Sequence, residues 1–360
     1  MVGSQSSRRP LVLASSRADT QALEEIAQGL RPRLDYLCVA ERLGADVLDT
    51  SVSSGLPPWR RRMEGLLASD LTQAAAAWQG RKTAAAWFST SEKVGLPLAL
   101  RGRGGPPHVL MAHNLITQKK RVLHRLTQVL HRFDAVLCLS ETQAVFLRDE
   151  IGLSASRVHH VWDNVDEQFF CPPASEPAAG DYLLAVGREN RDYETLLQAA
   201  RLLDLPLIIV ASSLWSSHGL SLGGGDLPSC VTVRSEFVSY PALRTLYAGA
   251  RLVVVPLRPS LYAAGVNGVL EAMAMGRASV VTQSPGLAEY LQDGVSNLVV
   301  PPGAPEALAD AVTRLWNDAP LRQSLGHAAR ARVEAELGMD AYAERVSKIV
   351  RSVMPAQFVA

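Results

Sequence analysis

The chain is short of cysteine, of net charge and of long apolar runs, and each shortage removes a class of protein. Four cysteines stand among 360 residues, with no Cys-x-x-Cys and no Cys/His spacing, so neither a metal knuckle nor a redox pair is expected. Cys38 and Cys138 lie in apolar runs and read as small buried core residues, which suits a reducing compartment. A formal net charge of +1 argues against a chain devoted to nucleic acid. No stretch reaches the ~18 apolar residues of a membrane span. The apolar run 11–14, after a polar start, is too short for a signal-peptide core. A cytoplasmic protein is expected. No Gly-x-x-x-x-Gly-Lys-Ser/Thr occurs, and the first half lacks Gly-x-Gly-x-x-Gly, which excludes the usual ATPase and dehydrogenase signatures. No Asp-x-Asp stands near a strand end and no His/Asp cluster has metal spacing, so neither a metal nor a cofactor is expected.

What remains is an ordinary globular composition, 48% hydrophobic and 20% charged, at a length that favours two domains. Short apolar runs alternate with helical patterns throughout. In the first half strands are predicted at 11–14, 35–39, 45–48, 84–88, 109–112 and 135–139, with helices at 20–30, 59–79, 95–101, 118–132 and 141–151. Three prolines in residues 171–180 mark a linker. The alternation then restarts, with strands at 182–186, 206–211, 231–233, 252–255, 279–282 and 297–300. Residues 320–354 read as helical. Gly223-Gly-Gly225 lacks an immediately preceding strand and reads as a surface loop. Two successive α/β halves describe paired Rossmann-like domains.

The densest information lies in residues 261–277. A glycine-bearing loop runs into a helix that carries a single acid, Glu271, in an apolar setting. A β-branched strand precedes it and another follows, which makes a βαβ unit. The free backbone N–H groups of such a loop and helix N-terminus suit a phosphate. A carboxylate facing the same crevice suits a ribose diol. These residues point to a sugar nucleotide.

Six signatures in order make the reading more specific. They are Val165-Asp-Glu-Gln-Phe-Phe-Cys-Pro172, Ala185-Val-Gly-Arg188-Glu-Asn-Arg191 running on to Leu-Leu-Gln-Ala199, Leu246-Tyr-Ala-Gly-Ala250, Leu270-Glu-Ala-Met-Ala-Met-Gly276, Pro285-Gly-Leu-Ala-Glu289, and Asp293-Gly-Val-Ser-Asn-Leu-Val-Val-Pro-Pro302. Together they resemble the retaining GT-B glycosyltransferases of the group 1, or family 4, type. The resemblance covers roughly residues 84–350 and is strongest over 182–335. It implies an α/β GT-B fold, two Rossmann-like domains with parallel sheets facing a central cleft. The expected division is an acceptor domain at 1–172, a donor domain at 173–335, and a C-terminal segment 336–360 crossing back to the first. Two departures stand out. The family's Glu-x7-Glu motif keeps its second acid as Glu271 but has Ala263 at the first position, and Asn297 replaces a later glycine.

The resemblance implies metal-independent transfer, with retention, from a nucleotide-diphosphate sugar, UDP being the commonest nucleotide in the family. Arg188 and Arg191 are expected to hold the diphosphate, because planar guanidinium forks bind phosphate oxygens bidentately. Glu271 is expected on the ribose hydroxyls. Gly265, Val266, Asn267 and Gly268 offer backbone and side-chain contacts to the sugar, Phe237 and Val238 stand where relatives hold the base, and Gly286 is placed in the sugar pocket. In the first domain His113 is expected against the sugar, with Glu92 and Asn114 on the acceptor. The acceptor itself is left open among a small molecule, a glycan and a lipid-linked sugar. Basic clusters at Arg60-Arg-Arg62 and Lys119-Lys-Arg121 allow a solvated helix face or peripheral contact with an acidic membrane. Two other functions remain alongside transfer: a sugar-nucleotide epimerase of the same architecture, and, because of Ala263, an inactive nucleotide-sugar-binding subunit.

Overall fold

The computed structural model describes residues 8–173, 180–211 and 227–358. The triple-glycine loop and the middle of the proline-rich stretch lie outside the described residues. The chain divides into two compact units. One comprises Met1–Glu24, Arg33–Trp162 and Asp340–Ala360, and the other Glu25–Pro32 and Asp163–Met339. The boundary thus falls ahead of the proline-rich stretch, and most of the terminal helix Met339–Val353 is counted with the first unit.

The first unit is built on a six-stranded sheet of β1 (Arg9–Leu13), β2 (Asp46–Leu48), β3 (Ala84–Ser89), β4 (His108–Ala112), β5 (Ala135–Cys138) and β6 (Val158–His160), in the order β2-β1-β3-β4-β5-β6. Every pairing is parallel. Strands β3, β4 and β5 are buried along their whole length, as parallel strands covered on both faces must be. The second unit repeats the plan with β7 (Leu183–Val186), β8 (Leu207–Val210), β9 (Val231–Arg234), β10 (Leu252–Val255), β11 (Ser279–Thr282) and β12 (Leu298–Val300), ordered β12-β11-β10-β7-β8-β9. Counted from its own first strand, that is the doubly wound order 3-2-1-4-5-6. Leu183, Ala185, Ile209, Val254, Val280 and Val300 meet Leu196, Leu308 and Val312 in its core.

Strand order fixes where a ligand belongs. In an open parallel sheet, the crevice lies beyond the carboxyl ends of the strands, where the winding reverses. That point is between β7 and β10 in the second unit, and between β1 and β3 in the first.

Several sequence expectations need correction. Residues 35–39 form no strand; they open helix Asp35–Leu43, which buries Tyr36, Val39 and Ala40 and ends at left-handed Gly44. The apolar set is spaced by three and four, so its period is helical despite the valine and cysteine. The single helix at 59–79 is two, Pro58–Leu67 and Leu71–Gln79, broken where Ala68 turns left-handed with φ 47°. Helix Glu92–Leu100 begins earlier than its glycine and proline suggested, because the Ser91 hydroxyl caps the Lys93 amide. Strand β6 was missed, since Val-His-His carries little apolar signal. Of the two cysteines read as core, Cys138 is buried and Cys38 only half-buried.

Candidate functional site

The second unit's switch point is built from two loops and one helix start. After β7 the chain turns at Gly187 and runs through Arg188, Glu189 and Asn190 to Arg191. Helix Tyr193–Leu203 follows, capped by the Asp192 carboxylate on the Thr195 amide. The neighbouring loop after β10 is laced to it. The Asn190 side chain donates to the Arg258 carbonyl at 2.5 Å, and the Arg258 amide donates to the Asn190 carbonyl at 3.1 Å. The Tyr262 hydroxyl donates to Glu189 Oε1 at 2.9 Å.

Arg191 is the brace between these loops. Its Nε donates to the Val186 carbonyl at 3.0 Å and one terminal nitrogen to the Glu189 carbonyl at 3.0 Å. The guanidinium lies against Gly187, Gly265 and Gly268, since a Cβ placed at either of the first two would run into it and one at Gly268 would press on it. Burial pushes the Arg191 group below its usual range, and Tyr193, Tyr247, Glu271 and Glu189 partly offset that. Arg188 is half-buried in the same loop.

Helix Val266–Ala274 starts at Gly265, which has φ 90° and no side-chain cap. Glycine is required there, because a Cβ would also lie 2.5 Å from Leu257 Cδ2. The Val266 amide donates to the Ala263 carbonyl at 3.3 Å, and the first turn presents Asn267 and Gly268, whose amides are of the kind a helix leaves without an intrahelical partner. Together with the helix dipole they favour an anion. Ala263 is buried just ahead of the turn. Gly286 packs so closely on the backbone of Tyr262 that no side chain would fit, and its amide donates to the Ser260 carbonyl at 2.8 Å. This fixes the loop that carries Ala263.

Glu271 lies in the second turn of that helix and is half-buried. Its Oε2 accepts from the Tyr247 hydroxyl at 2.8 Å. Burial pushes its carboxyl up to about 7, with the Tyr247 hydrogen bond and the Arg191 charge pulling the other way. Arg188, Arg191, Glu271 and the Gly265–Gly268 turn therefore gather at one switch point. Phe237 and Val238 lie in the loop after β9, Phe237 66% exposed. Asn297, at the motif glycine, is fully buried and donates to the Ser279 hydroxyl at 2.8 Å, so the replacement has become a hydrogen bond in the sheet.

The first unit presents different chemistry at its own strand ends. His113 follows β4, is exposed, and its Nε2 lies 2.9 Å from the Thr90 carbonyl. The structure brings Asn114 and Glu92 together: the Asn114 amide donates to Glu92 Oε1 at 2.7 Å, and Lys120 Nζ stands 3.4 Å from the same oxygen. Glu92 is 6% exposed. Burial would raise its carboxyl, yet Lys120, His113 and the Asn114 amide outweigh this and hold it below its ordinary value. Sequence reasoning missed Ser15, Asp35, Asp70 and Thr90. The Ser15 hydroxyl donates to Asp70 Oδ2 at 2.7 Å and its amide to Thr90 Oγ1 at 3.3 Å. Asp35 is raised by burial, with the Tyr36 amide and the charge of nearby His113 acting against it. The end of β1 was legible and could have flagged Ser15. Among the described residues no three His, Cys, Asp or Glu side chains converge as metal ligands. None of the described helices is long and apolar enough to cross a membrane.

Comparison with known proteins gives matches in sequence and in fold. Residues 180–318 match the family model described as glycosyl transferases group 1. A stretch of 132 residues, 37% of the chain, is 30% identical to the alpha-D-kanosaminyltransferase of Streptomyces kanamyceticus, and spans 33% of that protein's length. Among solved structures, sucrose-phosphate synthase from Thermosynechococcus elongatus superposes with a TM-score of 0.71 at 19% identity, covering 96% of this chain and 99% of that one. An Anabaena protein solved in complex with UDP and glucose gives 0.67 at 14% identity, covering 96% and 100%. The likeness to these structures is one of fold. The two parallel-sheet units thus share the fold of these structures, the GT-B fold, and residues 180–318 resemble the group 1 glycosyltransferases.

Proposed function

We propose that the chain is a glycosyltransferase that moves a sugar from a nucleotide-diphosphate sugar, a UDP-sugar, to an acceptor hydroxyl, with retention and without a metal. One observation carries the reading. Arg188, Arg191, the uncapped start of helix Val266–Ala274 and Glu271 share the switch point of a doubly wound sheet. The first three are complementary to a diphosphate and the last to a ribose diol. In transfer, the sugar C1–O bond to the diphosphate breaks and the acceptor oxygen bonds to C1. The acceptor proton passes to the leaving phosphate oxygen. Negative charge on that oxygen is met by the arginines and the helix N-terminus, which stabilise the transition state more than the ground state. Gly265, Val266, Asn267 and Gly286 line the sugar in this reading, and Phe237 and Val238 the base. The Anabaena protein with UDP and glucose supports the choice of nucleotide by analogy.

In this reading His113 meets the transferred sugar and Asn114 the acceptor. Glu92 acts through Asn114, since its carboxylate is buried and holds that residue's amide. For a lipid-linked acceptor the same reading includes peripheral contact at an anionic membrane face. Helix Pro58–Leu67 buries none of its residues and exposes Trp59, Met63, Leu66 and Leu67 beside three arginines.

The test is UDP release from a panel of UDP-sugars, with and without small-molecule, glycan and lipid-linked acceptors. Release that depends on one acceptor, with a glycosylated product of retained configuration, is expected. Conversion of the donor without acceptor would assign an epimerase. Binding of UDP-sugar with no turnover across the panel would assign a binding subunit, as Ala263 allows.

A further inference from the structure

We infer that Tyr247 is a positioning residue for the donor site, its hydroxyl fixing the Glu271 carboxylate in the orientation that meets the nucleotide ribose. The inference rests on the donor site proposed above. Tyr247 lies on helix Tyr240–Gly249 and is 0% exposed. Its ring meets Phe170 edge-on at 6.2 Å between centroids. A phenylalanine would fill that space equally well. The hydroxyl is the one polar atom of the side chain, and a buried hydroxyl needs a partner. The partner is Glu271 Oε2 at 2.8 Å, reached across 24 residues of sequence.

The groups facing this carboxylate come from separate elements. Tyr247 and Tyr240 approach from their helix, and Arg191 from the loop after β7, with Tyr193 beside Arg191 and Tyr247. Tyr193 is itself anchored, its hydroxyl donating to the Gly187 carbonyl. At the far end of the Glu271 helix, Arg330 donates to the Ala274 carbonyl at 2.7 Å. Burial lifts the Glu271 carboxyl to about 7, and the Tyr247 hydroxyl acts against that rise. A hydrogen bond to the ionised form favours it, and an ionised carboxylate is the stronger acceptor for ribose hydroxyls. Nucleotide affinity therefore increases as pH rises through about 7 and levels off above it. Removing the hydroxyl raises the carboxyl further and moves the same limb to higher pH.

The test is calorimetry of UDP binding between pH 5.5 and 8.5 to the full chain, Tyr247→Phe and Glu271→Gln. The Glu271→Gln profile carries the phosphate's own titration and serves as the baseline. Against it, the wild type should tighten about tenfold across the range. Tyr247→Phe should show the same limb displaced upward by about one pH unit, and affinities should converge at the alkaline end. With 2′,3′-dideoxy-UDP the wild-type and Tyr247→Phe profiles should fall onto the Glu271→Gln baseline. A Tyr247→Phe profile parallel to the wild type, or superimposed on it, assigns the hydroxyl a packing role and overturns the inference. If wild type binds no UDP at any pH, the donor-site reading falls first and this inference with it, so the two failures are told apart.

Discussion

The two units are built alike and end differently. Each is a six-stranded parallel sheet with one reversal of winding, yet the second unit collects arginines, glycines and an uncapped helix start at that point. The first collects hydroxyls and acids: Ser15, Thr90, Asp35 and Asp70, with His113 nearby. One edge presents positive charge and N–H donors, the other mostly acceptors. A diphosphate suits the former, and a molecule rich in hydroxyls or amines the latter. The fold supplies the place, and the loop residues decide what binds there.

The largest way to break that contrast is Arg191→Ala. It removes a cation and two backbone hydrogen bonds that tie the glycine loops together, so UDP affinity should fall at least about 10²-fold, read by calorimetry, with a lower melting temperature. Unchanged binding would make Arg191 a surface residue in function. Next is Gly286→Ala, which drives a methyl into the Tyr262 backbone. A loss of about 1–3 kcal/mol in denaturant unfolding is expected, together with weaker donor binding because the 258–265 loop must move.

His113→Ala addresses the first unit. Turnover should fall about 10–10²-fold, within the span of groups acting on proton transfer or positioning, while UDP affinity stays within about twofold of wild type, because His113 is not among the residues proposed to hold the nucleotide. A matching loss of UDP affinity would dissolve the division of labour between the units. The smallest effect on the fold is expected from Leu66→Glu, since that side chain is 82% exposed. Stability should change by less than about 0.5 kcal/mol, while flotation with anionic vesicles is lost if helix Pro58–Leu67 meets a membrane.

Legibility in the sequence followed the same divide. The second unit was read nearly strand for strand, because strands buried on both faces, such as Leu252–Val255, must be continuous apolar runs. Its motifs also place Arg188, Arg191 and Glu271 at fixed offsets from strand ends. What sequence could not supply were pairs made at a distance. Tyr247 finds Glu271 and Tyr262 finds Glu189 across 24 and 73 residues, and nothing local marks either partner. The first unit was harder for the same reason. Helix 59–79 breaks where Asp70 is drawn aside, its amide donating to the Lys93 carbonyl at 2.9 Å and its carboxylate accepting from Ser15. That is tertiary structure overriding a continuous helical pattern. Residues 35–39 are the opposite case, a short apolar run whose spacing of Tyr36, Val39 and Ala40 is already helical.

In the proposed function the second unit's switch point holds a nucleoside diphosphate through cationic side chains. This is tested most directly by calorimetric titration of UDP into the full chain and into Arg188→Ala, with EDTA present. Metal-free binding that weakens about tenfold or more on loss of one charge-assisted phosphate contact is expected, with an unchanged melting temperature. Equal affinity in both proteins, or binding that appears only when a divalent cation is restored, would contradict it.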